Sequence, residues 1–292
     1  MKAIIVGGSG QVARALKQTA ARLGVPTMTL ERPEVDLCEP MRATDLIAQS
    51  GASVVFNAAA YTAVDRAELE PELAFQINAA GAEAVARGAE RAGAVLVHFS
   101  TDYVFDGSKK DPYAEDDATG PTGVYGRSKL EGERLVLEAC GRAVVLRTAW
   151  VFDASGANFV RTMLRLARNR EEVGVVADQQ GCPTFAQDLA DAAFAVSAQG
   201  GPLGVYHCVG GGAATWADFA GEIFTQSRAR GGPSARVRPI ATAEFPTPAK
   251  RPANSRLDCG KLARVYGVRL RPWRVALGEC LNEIAYAGWR VE

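Results

Sequence analysis

The chain has 292 residues, 48% hydrophobic and 23% charged, so it can bury a substantial core in one large or two unequal domains. Lysine plus arginine and aspartate plus glutamate both number 33, which excludes a global basic field that would attract nucleic acid or an anionic membrane. Six cysteines without C-x-x-C spacing argue against a zinc site and a disulfide framework, and neither a leader nor a membrane-length apolar run is apparent, so we expect a cytoplasmic protein.

The first predicted unit is a strand at residues 2–7, a glycine turn and a helix at residues 11–23. Glycine is needed where the backbone turns tightly and approaches a pyrophosphate, whose charge is then favoured by the start of the following helix. Gly7, Gly10 and Ala13 have the spacing G-x-x-G-x-x-A, which departs from the G-x-G-x-x-G of many dehydrogenases and which an ordinary strand-to-helix turn would also allow. The residues expected to bind a dinucleotide here are Gly7, Gly10, Gln11 and Val12.

The choice of nicotinamide cofactor depends on the residues after the second predicted strand, at residues 25–30. Glu31 could bind ribose hydroxyls, as acidic residues do for NAD, whereas Arg32 could pair with the 2′-phosphate of NADP. Each could equally be a solvated loop charge. We expect both cofactors to be accepted, with NADPH preferred over NADH.

Strands and helices alternate through the first half of the chain. Strand-like runs near residues 2–7, 25–30, 53–57, 94–99 and 142–147 are separated by helical patterns at residues 11–23, 41–50, 69–92 and 125–139. This alternation predicts the α/β class, with a doubly wound parallel sheet of Rossmann type. After Asn57, at the end of the third strand, small residues provide a surface over which a cofactor can lie: Ala58, Ala59 and Ala60.

Three residues form a candidate catalytic group for reducing a ketone. Tyr125 and Lys129 are four apart and share one face of a predicted helix, and Thr101 follows a predicted buried strand. Tyr125 could protonate the carbonyl oxygen, and Thr101 could orient the substrate. The Lys129 ammonium and the nicotinamide's positive charge after hydride transfer could favour the phenolate of Tyr125 and bring its pKa nearer working pH, and Lys129 could also reach the cofactor ribose, so Tyr125 and Lys129 are expected to bind the cofactor as well. The alternative is a solvated Tyr-Lys pair without function.

The pattern changes after Trp150, where helices near residues 156–169, 215–229, 259–266 and 274–288 are separated by Gly/Pro segments. We predict a dinucleotide-binding domain at residues 1–150 with a returning segment at about 173–210. Residues 151–172 and 211–292 would form a smaller, mainly helical substrate-binding lobe. The ligand would lie in the cleft between lobes.

Five segments give the chain a more specific resemblance: NAAAYTAVD at 57–65, STDYVFDG at 100–107, RTAWVF at 147–152, DQQGCPT at 178–184 and RPANS at 251–255. Together with the glycine turn and Tyr-x-x-x-Lys, they resemble the dTDP-4-dehydrorhamnose reductase family of the extended short-chain dehydrogenase/reductase superfamily. The resemblance runs nearly end to end.

This resemblance implies roles for further residues. Asp36 and Leu37 correspond to an adenine contact. The implied substrate-binding residues are Thr101, Tyr103, Tyr125, Trp150, Asn158, Arg251 and Asn254. Trp150 could instead be core between the lobes, and Arg256, which flanks the last segment, could bind a diphosphate or form a surface ion pair.

The implied activity is NAD(P)H-dependent reduction of the C4 ketone of dTDP-4-dehydro-L-rhamnose to dTDP-L-rhamnose, for cell-surface polysaccharide. Related dehydratases carry Asp-Glu after the threonine, whereas this chain has Asp102 and Tyr103, which favours a reductase. Asp102 itself could be a turn residue or a catalytic one. Two alternatives remain: reduction or epimerisation of another 4-keto deoxysugar nucleotide, or a non-catalytic regulatory role like that of the methionine adenosyltransferase β subunit.

Some members of the family dimerise through magnesium held by glutamates. The equivalent positions here are Ala15, Gln187 and Asp188, of which only one is a carboxylate. We predict no structural magnesium and a monomer or weak homodimer. We expect no nucleic-acid or membrane partner, and His98 and His207, the only histidines, are expected to be core or strand-end residues rather than metal ligands.

Overall fold

The structure is a computed structural model that describes residues 1–290. In chain order its strands are β1 (Ala3–Val6), β2 (Thr27–Leu30), β3 (Val54–Asn57), β4 (Val95–Thr101), β5 (Ala143–Thr148), β6 (Val151–Phe152), β7 (Glu172–Val176), β8 (Gln180–Gly181), β9 (Thr184–Phe185), β10 (Gly204–His207), β11 (Ala214–Thr215) and β12 (Arg236–Ile240). Its helices are α1 (Gln11–Arg22), α2 (Met41–Ala48), α3 (Val64–Ala67), α4 (Pro71–Phe75), α5 (Ala82–Ala92), α6 (Val124–Ala139), α7 (Phe159–Ala167), α8 (Ala186–Gln199), α9 (Trp216–Ala229), α10 (Gly260–Tyr266) and α11 (Trp273–Tyr286). A π-helical segment, Gln76–Gly81, joins α4 to α5.

The main sheet has six parallel strands in the order β10-β5-β4-β3-β1-β2. Its inner strands are almost continuously apolar because helices cover both faces, and β1, β3, β4 and β5 are buried along their whole length. On one face α1 packs against α8, and on the other α2, α5 and α6 form a layer. The predicted doubly wound parallel sheet is confirmed.

The second lobe has its own apolar core, built around α7, α9 and α11 and three two-stranded pairings, β6-β9, β7-β12 and β8-β11. The prediction that residues 173–177 return to the main sheet is wrong, because β7 pairs in parallel with β12 and Val173 and Val175 face the core of this lobe. The return to the main sheet is made by α8 and β10.

The predicted placement of all residues after 211 in the substrate lobe also needs correction. Leu262 and Tyr266 of α10 are buried in the core between the main sheet, α1 and α8. The chain therefore crosses back to the first core once more before α11 closes the second lobe. Within residues 1–290, no helix is both long and apolar enough to cross a membrane.

Candidate functional site

A cavity of about 480 Å³ lies at the carboxyl ends of β1, β3, β4 and β5. In an open parallel sheet this edge is where strands leave room for a ligand. One end of the cavity is lined by the glycine turn before α1, and the other by the three residues of the candidate catalytic group: Thr101, Tyr125 and Lys129. The structure therefore brings together a dinucleotide turn and a proton-transfer group that are about 100 residues apart in the chain.

The catalytic group is held by short elements with specific contacts. Thr101 ends β4, donates a hydrogen bond to Asp102 Oδ1 at 3.0 Å and accepts one from the Tyr103 N–H at 3.2 Å. Tyr125 lies in the first turn of α6, with its ring in edge contact with that of Tyr103 at 5.8 Å between centroids. Lys129 follows one turn later and is 2% exposed.

Two glycines let α6 approach its neighbours closely enough to place this group. A Cβ on Gly126 would collide with the carbonyl oxygen of Tyr103, and a Cβ on Gly132 would collide with that of Asn78 in the π-helical segment. The Asn78 amide also donates to Ser128 Oγ at 3.0 Å. Helix α6, which carries Tyr125, therefore packs directly against the backbone of two neighbouring segments.

Burial sets the protonation of Tyr125 and Lys129. It raises the pKa of Tyr125 to about 12, with the Thr101 hydroxyl opposing the rise and Asp102 adding to it. Burial lowers the pKa of Lys129 to about 8, opposed by the negative charge of Glu133. In the chain without cofactor the pKa of Tyr125 is therefore raised, and the lowering expected beside a charged nicotinamide stays a prediction. Tyr125 is protonated at neutral pH, as a proton donor must be.

Asp102 is a group of this site whose role the residue pattern left open. It is 3% exposed, it lines the cavity, and its Oδ2 has no hydrogen-bond partner among residues 1–290. Burial raises its pKa to about 6, although the nearby hydroxyls of Ser255 and Thr101 oppose the rise. The carboxyl thus changes charge closer to neutrality than an ordinary aspartate does.

We expect Asp102→Asn to stabilise the fold more at neutral than at acidic pH. The folded state favours the protonated form of Asp102, because the pKa of this carboxyl is about 6 in the folded chain and 3.8 ordinarily. Above pH about 6 the ionised carboxylate therefore lowers the free energy of unfolding of the wild type, and this loss disappears as the pH falls from about 6 toward 4. Asparagine carries no charge, so the free energy of unfolding of the variant relative to wild type should rise by about 1 kcal/mol between pH about 5 and 7.5, measured in urea.

Asp106→Asn is the matched control for this measurement. Hydrogen bonds from Ser108 and Tyr113 lower the pKa of Asp106 to about 2, so it is ionised throughout that pH interval and its substitution should give a constant difference. A constant difference for Asp102→Asn as well would show that its carboxyl does not titrate in this range.

The other end of the cavity fits a dinucleotide. Gly7 has φ of 95°, and a Cβ there would lie 3.0 Å from the Ala59 nitrogen, so the turn requires glycine. Gly10 caps α1 and has open space on its Cβ side, facing the cavity. Gln11 Oε1 is buried without a hydrogen-bond partner among residues 1–290, and so is Thr148 Oγ1 beside Thr101 at the catalytic end, which leaves polar atoms for a ligand to satisfy. Further lining residues are Val12, Ala58, Ala59 and Ala60.

The residues expected at the adenosine end lie outside the lining of this cavity. The Glu31 carboxylate lies against Gly8, where a Cβ would collide with it, and Arg32 is exposed beside it. Asp36 accepts a hydrogen bond from the Cys38 N–H at 2.9 Å, which lowers the pKa of Asp36. The Leu37 side chain is buried in the core under β2, so only its backbone is available to a ligand.

A second cavity, of about 470 Å³, adjoins the first. Its walls come from α7, β7 and β12, with Phe159, Met163 and Val175 among its apolar residues and Arg170 and Arg251 as its cations. Tyr103 and Trp216 line both cavities. The two spaces thus meet beside the catalytic group, and together they can hold an elongated, partly charged ligand.

Trp150 has the strained backbone of a functional position, with φ of 46°. Its indole stacks on that of Trp216 with centroids 3.4 Å apart, and a Cβ on Gly181 would collide with it. Trp150 thus lines the first cavity while its ring is held by neighbours, which limits the stacking on a ligand that the sequence suggests. Trp216 was not predicted, because it starts a helix of the other lobe and no nearby motif marks it.

Arg251 lines the second cavity and is tied to the first domain. Its guanidinium pairs with Asp65 of α3 at 2.8 Å, and the same carboxylate accepts the Ala249 N–H at 3.1 Å. This ion pair links the segment at residues 249–251 to α3 of the first domain, and the Arg251 side chain remains partly exposed.

Asn158 has its side chain engaged by nearby backbone, and its ligand role stays a prediction. Asn158 caps α7: its Oδ1 accepts the Arg161 N–H at 3.2 Å, and its amide donates to the Asp153 carbonyl at 2.8 Å. With both ends of the side chain used by the backbone, it lies outside the lining of either cavity.

Asn254 likewise has its side chain engaged by neighbouring loops, and its ligand role stays a prediction. Its amide donates to the carbonyls of Lys109 and Asp111 at 2.7 and 2.9 Å, and its Oδ1 accepts from Arg256 Nε at 2.8 Å. Arg256 is thereby turned toward the 109–111 loop and away from both cavities. Asn254 builds the loop framework and contacts no cavity.

The positions that correspond to the magnesium site contain no cluster of carboxylates that could bind a cation. Ala15 is buried, and the Asp188 carboxylate pairs with Arg271 at 2.7 Å. Within residues 1–290, no group of three or more acidic, histidine or cysteine side chains could hold a metal. The absence of structural magnesium stays a prediction.

Comparison with known proteins shows which proteins the chain resembles. The family model described as the RmlD substrate binding domain matches residues 1–286. The dTDP-4-dehydrorhamnose reductase of Sinorhizobium fredii is 46% identical over 279 residues, covering 94% of this chain and 94% of that protein.

Solved structures match over the whole fold. A dTDP-4-dehydrorhamnose reductase from Clostridium acetobutylicum superposes with a TM-score of 0.93 at 36% identity, covering 98% of this chain and 100% of that one. The enzyme of that name from Bacillus anthracis, solved in complex with NADP, gives a TM-score of 0.91 at 34% identity, covering 97% and 100%.

Proposed function

The chain belongs to the dTDP-4-dehydrorhamnose reductase family, and we propose that it reduces the C4 ketone of dTDP-4-dehydro-L-rhamnose to dTDP-L-rhamnose with NADPH. The observation that carries the proposal is the joint lining of one cavity by the glycine turn and by Thr101, Tyr125 and Lys129. A second cavity, open to the first beside Tyr103, provides room for the nucleotide part of the substrate.

NADPH, when bound against Gly10, Gln11 and the Ala58–60 strand end, supplies the hydride. Tyr125 donates the proton to the ketone oxygen, since its high pKa keeps it protonated at neutral pH. The Lys129 ammonium favours the phenolate that this step leaves. Thr101, fixed by Asp102 and by the Tyr103 N–H, holds the ketone within reach of Tyr125.

We place the nucleoside diphosphate in the second cavity. Arg251 lines this cavity together with Tyr103 and Asp65, and a guanidinium suits a pair of phosphate oxygens. The apolar wall from Phe159, Met163 and Val175 provides a surface for the base. We further propose a monomer or weak homodimer acting in the cytoplasm, in keeping with six free cysteines and zero net charge.

The direct test is a coupled assay that generates the 4-keto sugar nucleotide in place and follows NADPH absorbance. A panel of 4-keto deoxysugar nucleotides then ranks substrates by kcat/KM, because neighbouring sugars differ by one hydroxyl or methyl group. Substrate-dependent NADPH oxidation giving a 4-hydroxy sugar is expected. Oxidation with a different member of the panel only, or with none, would contradict the proposed substrate.

Arg32 and Glu31 set the cofactor preference in this proposal. Arg32 is exposed and can pair with a 2′-phosphate, so Arg32→Ala should weaken NADPH binding about tenfold and leave NADH binding nearly unchanged. Both affinities can be read from cofactor fluorescence without substrate. Arg42→Ala, a charge change on α2, is the control, and equal losses for both cofactors in Arg32→Ala would rule out a role in selecting the 2′-phosphate.

A further inference from the structure

The ammonium of Lys129 is buried with few partners. Its Nζ donates a hydrogen bond to the Phe99 carbonyl at 2.7 Å, and it forms no ion pair with a carboxylate within residues 1–290. A buried ammonium needs acceptors for its protons, because desolvation without compensation favours the neutral amine. The second acceptor is therefore important for the charge and the position of this side chain.

That second acceptor is the ring of His98. His98 lies on β4 and is fully buried, and its Nε2 is 3.4 Å from Lys129 Nζ. On the neighbouring strand β3, Asn57 is its register partner, and the Asn57 amide lies 3.1 Å from His98 Nδ1. The three side chains form a continuous row from β3 to α6 that ends at Lys129, one helical turn after Tyr125.

The charges around this row decide the protonation of His98. Glu133 of α6 is paired with Arg147 of β5, Asp102 follows β4, and Lys129 is the cation in direct contact. Burial and the Lys129 charge both keep the pKa of His98 well below its ordinary value, so the ring is neutral.

A neutral ring beside an ammonium has only one arrangement that keeps both hydrogen bonds. Nε2 must accept from Lys129, so Nδ1 carries the proton and needs an acceptor. Asn57 can supply it through Oδ1, an atom that otherwise has no partner in the part of the chain that the structure describes. The amide ends of asparagine are interchangeable by rotation, so no backbone change is required.

We propose that His98 is a positioning residue for Lys129: its ring, held by Asn57 with the proton on Nδ1, presents Nε2 to the ammonium and holds it in position. The effect on turnover rests on the proposed function, whereas the tautomer of His98 does not. The competing view is a histidine that merely fills the core. The chain contains such a case in His207, which is also fully buried and whose two ring nitrogens lack partners among residues 1–290.

The first experiment compares three variants by the pH dependence of kcat for ketone reduction. His98→Leu removes the acceptor, His98→Gln retains one, and His207→Leu controls for the loss of a buried ring. Without Nε2 the ammonium is less favoured, so Lys129 loses its proton at lower pH and the fall of kcat on the alkaline side moves down by about one pH unit.

We expect His98→Leu to lower kcat about fivefold near pH 8 and about ninefold near pH 9, and His98→Gln to stay within about twofold of wild type. His207→Leu should leave the pH profile in place even if it lowers the melting temperature. Identical profiles for His98→Leu and His207→Leu would overturn the proposal and make His98 a packing residue.

The second experiment reads the ring directly by ¹⁵N NMR of the chain without cofactor or substrate. Only two histidines contribute, and the spectrum of His98→Gln identifies the signals of His98. A neutral Nδ1–H ring between pH about 6 and 8 is expected. An Nε2–H tautomer or a ring that becomes charged in this interval would overturn the proposal, even if His98→Leu does not fold. A wild-type chain without reductase activity would instead overturn the proposed function, while the NMR spectrum still decides how His98 is held.

Discussion

Tyr125→Phe should lower kcat by about a thousandfold, within the 10²–10⁴ that a positioned proton donor contributes. The substitution removes only the hydroxyl, so the ring keeps its edge contact with Tyr103 and α6 keeps its seat on the Tyr103 backbone. NADPH affinity should therefore change by less than about twofold. Single-turnover measurements of NADPH absorbance are the suitable readout, because slow product release cannot then hide the chemical step.

Tyr103→Phe is the matched control for Tyr125→Phe. Tyr103 lies beside Tyr125 and lines both cavities, and burial raises its pKa even further above the ordinary value. Its hydroxyl has no assigned role in proton donation, so kcat should fall by less than about tenfold and any larger effect should appear in KM. If Tyr125→Phe retained more than a tenth of wild-type kcat, or lost no more than Tyr103→Phe, another group would have to be the proton donor.

The second large effect is expected on stability, from the buried ion pair between Glu133 and Arg147. The two side chains are 3% and 4% exposed and are joined by hydrogen bonds of 2.7 to 3.2 Å, and Ser100 also donates to Glu133 at 2.5 Å. Glu133→Gln leaves the Arg147 guanidinium buried beside a neutral group. We expect the free energy of unfolding in urea to fall by about 3–5 kcal/mol.

The same helix offers the control. Arg134 is the next residue and pairs with Glu131 and Glu138 on the exposed face of α6, so Arg134→Gln should cost less than about 1 kcal/mol. The double variant Glu133→Leu with Arg147→Met removes both charges and should recover much of the loss, since a buried pair can be replaced by apolar residues. Equal losses for Glu133→Gln and Arg134→Gln would contradict the view that burial makes this pair important.

The elements that the sequence predicts well are those whose signals are local. The glycine turn with Gly7 and Gly10 and the Tyr125-Lys129 spacing depend on residues within one turn or one strand-to-helix connection. Both are found where parallel-sheet geometry places them, at the carboxyl edge of the sheet. The alternation of apolar strands with helices likewise predicts a doubly wound parallel sheet, because helices must cover both faces of such a sheet.

The failures share a different physical cause, which is that contacts between distant segments decide the outcome. The apolar run at residues 173–177 is a strand as expected, but nothing in its residues shows that its partner is β12, some 60 residues later, and not the main sheet. Trp216 reaches the catalytic cavity from the other lobe by the same kind of long-range packing.

Asn158 and Asn254 show a second limit of the sequence. An asparagine side chain can bind a ligand or satisfy nearby backbone groups, and the residue type is the same in both cases. Here Asn158 accepts a hydrogen bond from an N–H group in the first turn of α7, and Asn254 donates to two carbonyls of the 109–111 loop. Only the fold shows which backbone groups lie within reach.

The wall between the two cavities has a thermodynamic consequence. Tyr103 and Trp216 line both cavities. If a molecule in one cavity orders these rings, it changes the affinity of the other cavity for its own ligand. Linkage requires this change to be reciprocal, so whatever factor NADPH contributes to sugar-nucleotide binding, the sugar nucleotide contributes to NADPH binding. In the proposed placement the two ligands therefore share one free energy of coupling, and Tyr103 and Trp216 are the side chains that both would contact.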